Sequence, residues 1–152
     1  MKLSAHFSLE EFTASGAAID LGIDNSPTAA HLVNLRRLAQ RMEDVRALFD
    51  VAIQITSAYR NPAVNAAVHG VANSAHALGH AADFHVTGME DLDAARRIRD
   101  SALSFDQLIH EKGRCVHMSF DPRLTAKPTG MRRQVLRQPG PAGSQVFEGL
   151  EE

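Results

Sequence analysis

Residues 73–85, NSAHALGHAADFH, limit what this 152-residue chain can fold into more than any other stretch. Three histidines and an aspartate fall within it, beside one glycine and four alanines that let the backbone come close to whatever the polar groups hold. Imidazole nitrogen and carboxylate oxygen are the donors that a borderline-soft divalent metal such as zinc accepts. One stretch rarely closes a tetrahedral site alone, so the fold must bring a further ligand from elsewhere. The best candidate is His117, in CVHMSF (115–120), between apolar Val116 and Met118. Taken alone, a histidine there is either a satisfied core residue or a ligand aimed at a shared cleft. Asp83 and His85 stand two apart on one expected strand, so their side chains leave the same face.

The bulk numbers narrow the partners. With 44% hydrophobic and 22% charged residues the chain reads as an ordinary soluble globular domain. The net charge of −2, with acids and bases mixed along the chain, gives no nucleic-acid face and no polybasic membrane patch. No apolar run approaches the ~20 residues of a bilayer-spanning helix. The N-terminus, MKLSAHFSLEEF, carries no apolar h-region, so no signal peptide is expected. Cys115 is the only cysteine, which excludes an internal disulfide.

Along the chain, Ser8-Leu9-Glu10-Glu11 fits a capping box and predicts a short helix over about 8–14. Residues 15–27, with two glycines, Asn25 and Pro27, read as a loop. Ser26 is expected to cap the longest helix, with Pro27 in its first turn. Leu32, Leu35, Leu38, Ala39, Met42, Val45 and Leu48 recur at three- and four-residue steps and give that helix one apolar face to about Phe49. VAIQITS (51–57) alternates and is β-branched, which predicts a strand. A short helix opens at Asn61-Pro62 and ends near Gly70. Residues 71–80 form a loop, 81–86 a second strand and 91–102 an amphipathic helix. Residues 105–110 and 115–120 form a hairpin about Lys112-Gly113. RRQVLR (132–137) is expected as an edge strand. From Gln138 the composition predicts a mobile tail. The result is an α+β domain over 1–137, with a small, mainly antiparallel sheet flanked by helices, and a flexible tail over 138–152.

The pattern Ser74-x-His76-x-x-Gly79-x-Ala81-x-Asp83 resembles the zinc motif of the M15 peptidases, the D-Ala-D-Ala carboxypeptidase and endolysin family. FSLEEFTASGAAIDLGIDNSP, ITSAYRNPAVNAAVHGVANSAH and FDQLIHEKGRCVHMSF are similar to its phage and prophage branch, in that order and spacing, over residues 7 to about 137. The resemblance implies the fold shared with the Hedgehog signalling domain and one catalytic zinc held by His76, Asp83 and His117. Three protein ligands leave a position for water, whose pKa zinc brings to near ~7. A carboxylate must take the water's proton and pass it to the leaving amine. Many relatives place this acid three residues before the third ligand, where this chain has Arg114. Glu111 is therefore the expected base; its place matches a glutamate of the Hedgehog-like arrangement, with Asp106 and Asp121 as weaker alternatives.

The resemblance also implies that Arg60 grips a carboxylate of the peptide stem, as a bidentate guanidinium can. Ser74 is expected to support the site, to contact substrate or only to cap the loop, Tyr59 to wall the cleft or stabilise the oxyanion, with packing as its more ordinary role, and His85 to orient a ligand from behind. The implied function is zinc-dependent hydrolysis of peptidoglycan stem peptides, as a carboxypeptidase or an endopeptidase. The expected setting is a phage endolysin or virion-associated lysin, made in a bacterial host's cytoplasm and reaching the wall through a holin or on a virion. A monomer is expected for the free enzyme, and other virion proteins are the further partners considered. The alternative is a non-catalytic, zinc-stabilised binding or structural virion domain of the same fold.

Overall fold

The computed structural model describes residues 1–120 and 131–151. Five helices and six strands order as α1 (Leu9–Thr13), α2 (Gly16–Leu21), α3 (Ala29–Phe49), β1 (Ile53–Ser57), α4 (Pro62–Ala67), β2 (Ala81–Val86), α5 (Asp91–Arg99), β3 (Gln107–Glu111), β4 (Cys115–Ser119), β5 (Gln134–Gln138) and β6 (Phe147–Glu148). The strands make one sheet in the order β1-β2-β4-β3-β5-β6. All neighbours are antiparallel except β3 and β5, which run parallel. The α+β fold expected from the sequence is the one observed.

Local chemistry sets the element ends. Ser8 and Glu11 cap α1 reciprocally: the Glu11 backbone N–H donates to Ser8 Oγ, and the Ser8 N–H donates to the Glu11 carboxylate. Ser15 caps α2, which closes on Gly22 in the left-handed region, so a helix stands where a loop was expected. The cap of α3 is Thr28, whose hydroxyl accepts from the His31 N–H; Ser26 is instead held by the Asp24 carboxylate. Leu35, Leu38, Ala39, Met42, Val45 and Phe49 form the buried stripe of α3 that the periodicity predicted.

That stripe packs in one core with Phe84 and Val86 of β2, Leu108 of β3, Val116 and Met118 of β4, and Ile98 of α5. Each such fully buried side chain stabilises by ~1.5–3 kcal/mol. Strand alternation sends the intervening residues, Asp83 and His117 among them, to the opposite face.

The C-terminal residues differ from the expected tail. β5 lies inside the sheet, and the edge is taken by β6. Leu150 is buried in the core cluster, and Glu151 pairs with Arg96 and Arg99. Pro139, Gly140, Pro141 and Gly143 suit a tight return as well as they suit disorder, and pairing and burial decide between the two. No helix among the described residues is long and apolar enough to cross a membrane.

Candidate metal centre and cleft

On the sheet face away from the core, Asp83 of β2 stands directly opposite His117 of β4. His76 reaches them from a 3-10 turn, Ala75–Leu78, that precedes β2. This turn is fixed on several sides. The Ser74 hydroxyl accepts from the His76 N–H, and the Arg60 N–H donates to the His76 carbonyl. Gly79 closes the turn at φ +82, against Leu35 and the His31 carbonyl of α3. A Cβ there would lie 3.2 Å from both, so the glycine serves conformation and close packing together.

The three donor atoms form a triangle. His76 Nε2 lies 3.2 Å from His117 Nδ1 and 3.2 Å from Asp83 Oδ1, and His117 Nδ1 lies 2.8 Å from Asp83 Oδ1. Zinc bonds of ~2.0–2.1 Å at tetrahedral angles separate ligand atoms by roughly 3.3 Å. The triangle is therefore close to the size a tetrahedral zinc needs. All three side chains are buried. His76 Nδ1 donates to the Ala58 carbonyl at 2.7 Å, and since a carbonyl only accepts, the ring's lone pair is at Nε2, toward the other two donors. The residues present fit a zinc ion.

Electrostatics agree. Burial acts to raise the pKa of Asp83, but the His76 and His117 rings beside it outweigh burial and hold the carboxyl well below the usual range. Burial acts to lower the pKa of His117, and the hydrogen bond and charge of Asp83 reverse that and raise it. Burial pushes His76 down. A divalent cation among these three donors would be held by the ionised Asp83 carboxylate and the two neutral rings.

The triad opens on a cleft of about 460 Å³ that Arg60, Ser74 and Glu111 also line. Glu111, at the end of β3, accepts from the Cys115 thiol at 3.1 Å. Donor atoms of Asp83, Glu111 and Cys115 lie within 4.8 Å of one another, which makes a second group of metal-binding type. Burial pushes the Cys115 thiol far up, so it stays protonated and is a poor ligand beside the imidazole pair. The Arg114 guanidinium engages the Gln138 side-chain carbonyl, tying the hairpin to β5. Asp106 is fully buried and held by Arg132 at 2.8 and 2.9 Å, which removes it as a base. Asp121 lies outside the described residues.

Two expected roles are corrected. Tyr59 does not line the cleft: it is buried, and its hydroxyl meets His31 Nδ1 of α3 at 2.9 Å. His85 shares the Asp83 face but turns to Asp91 at the start of α5, at 2.8 Å. Among the described residues no bond joins it to the triad, and the Ala58 carbonyl holds His76 from behind instead. Backbone positions of this kind carry no residue signature. Val68–Val71, and Ala142, Gly143, Ser144 and Val146, two further stretches that line the cleft, also escaped the sequence reading.

The first of these stretches depends on Gly70. A Cβ at this position would lie 2.0 Å from Asn65 Oδ1. Asn65 is buried and pinned through Nδ2 to the Val71 carbonyl at 2.8 Å, so it cannot swing aside without losing that bond. Gly70→Ala is expected to cost ~1–3 kcal/mol, read as a lower denaturation midpoint. An unchanged midpoint would show that the Asn65 contact is unimportant.

A family model described as Peptidase M15 matches residues 5–119, from before α1 to the end of β4. No curated protein matches the chain.

Proposed function

Because the chain belongs to the M15 peptidases, which are zinc-dependent, we propose that it hydrolyses amide bonds of peptidoglycan stem peptides with one zinc held by His76, Asp83 and His117. The observation that carries this reading is the buried triangle of two imidazoles and a carboxylate on the floor of a cleft. When bound, zinc supplies Lewis acidity toward a carbonyl and acidifies water. The remaining work falls to the chain's own groups. Glu111 takes a proton from the attacking water and returns it to the leaving amine. Its carboxylate is aimed by the Cys115 thiol.

Arg60 binds a substrate carboxylate. Its Nε is buried without a hydrogen-bond partner, a donor that an incoming anion would satisfy. Burial lowers its pKa, while Asp83 and Glu111 oppose the fall, so the charge is retained. Ser74 acts by capping the turn that presents His76. The similarity of the sequence to the phage and prophage branch supports a lysin acting on the bacterial wall, released by a holin or carried on a virion.

Mass spectrometry of stem peptides and muropeptides after incubation with zinc-loaded protein tests the reading. Release of a terminal residue identifies a carboxypeptidase, and cleavage within the stem or bridge an endopeptidase. If no product forms, the protein is a zinc-stabilised binding domain. Arg60→Ala should raise KM by about tenfold or more, as loss of a charged hydrogen bond of ~1.5–3 kcal/mol does, with zinc still bound. An unchanged KM would remove Arg60 from substrate recognition.

A further inference from the structure

We infer that the C-terminal segment 136–146 builds the subsite for a small aliphatic side chain of the substrate, next to the bond that is cut. The inference rests on the peptidase reading above and adds to it a specificity determinant lying beyond the matched residues 5–119.

Cross-strand register places the parts. Asp83 stands opposite His117, His117 opposite Ile109, and Ile109 beside Leu136. This row crosses four strands on one face, because directly paired residues share a side of the sheet. Its first half holds the metal-binding donors, and its second half is aliphatic. The floor of the cleft therefore changes from polar to apolar within the width of two strands. Val68, Val71, Ala142 and Val146 line the same cleft. Val71 is 64% exposed and Val146 40% exposed, and both line the cleft. Exposed aliphatics gathered around a cleft mark a binding surface. None of these six residues carries charge, and the nearby Glu111, on the same face of β3 as Ile109, repels an acidic side chain, so a glutamate there would lose water without compensation.

The C-terminal stretch is held in place. Gln138 Nε2 donates to the Ser144 carbonyl at 2.7 Å, and the Ser144 N–H to the Pro141 carbonyl at 3.0 Å. β6 follows at once and pairs with β5. Gly143 and His69 are both in left-handed backbone, and a Cβ at Gly143 would lie 3.5 Å from the His69 carbonyl, so the two stretches run near each other.

The test uses the full chain, zinc-loaded, on stem-type peptides in which each residue flanking the cleaved bond is in turn alanine, leucine or glutamate. Wild type should cleave the glutamate peptide at one flanking position at least about tenfold more slowly than the alanine peptide. Val146→Lys should abolish or invert that preference and lower kcat/KM for the alanine peptide mainly through KM, with one zinc retained. Ala142→Phe narrows the cleft without charge and should reject leucine more than alanine. It also serves if Val146→Lys does not fold. Variants that slow every peptide equally, or leave the preference as in wild type, overturn the inference while the peptidase reading stands. Failure of zinc-loaded wild type to cleave any peptide overturns both.

Discussion

Zinc stoichiometry near zero and no measurable peptidase activity are the expected results for His117→Ala. The substitution removes one corner of a three-donor triangle, and two remaining donors cannot hold the ion in competition with water. A second loss arises in the same variant. Asp83 is buried beside His117 at 2.8 Å, and without the imidazole its carboxylate keeps only His76. Breaking a buried ion pair by deleting one partner costs ~3–5 kcal/mol, so the variant should melt lower even in the absence of metal. A chelator separates the two effects. For wild type at a zinc concentration of about 100 times Kd, the ion contributes ~2.7 kcal/mol, equivalent to roughly 5–10 °C in Tm for a chain of this size. Chelation should remove that increment from wild type and nothing from His117→Ala. A variant that still binds one zinc would show that the ligand set is different.

Glu111→Gln is expected to lower kcat by ~10²–10⁴-fold, the usual contribution of a positioned general base, while zinc content stays at one per chain. Glutamine keeps the shape and can still accept from the Cys115 thiol, but it takes no proton from water. Because Glu111 is not a corner of the triangle, metal content and turnover should separate in this variant and fall together in His117→Ala. That contrast is what distinguishes a base from a ligand. Turnover within tenfold of wild type would exclude Glu111 as the base. Asp106, locked by Arg132, could not take its place, and His69, which also lines the cleft, would be the next group to substitute.

Much of this was legible in the sequence where a local period or a side-chain pattern carried it. The α3 stripe, the alternation of β1 and the spacing from His76 to Asp83 each follow from backbone geometry and a residue alphabet. The cap of α3 was misread because Ser26 and Thr28 are both good caps, and only the Asp24–Ser26 hydrogen bond decides between them. α2 was missed because two glycines outweighed Ser15 in the reading, although one of them, Gly22, is the helix's own terminator. His85 was assigned to the site because it shares a strand face with Asp83, and Tyr59 was offered both the cleft and the core. Their partners, His31 and Asp91, lie on helices whose placement no local pattern encodes. The C-terminal segment was read as free because Pro and Gly favour both loops and disorder. The parallel pairing of β5 with β3, between residues as far apart as Gln107 and Gln134, leaves no local trace.

The hydrogen bond from His76 to the Ala58 carbonyl bears on how the ion comes and goes. Zinc fingers take their order from the metal; here a backbone carbonyl of the folded chain fixes which imidazole nitrogen faces the ion. A stripped sample should accept cobalt(II) as a coloured surrogate without passing through denaturant, giving an optical reporter of the coordination sphere.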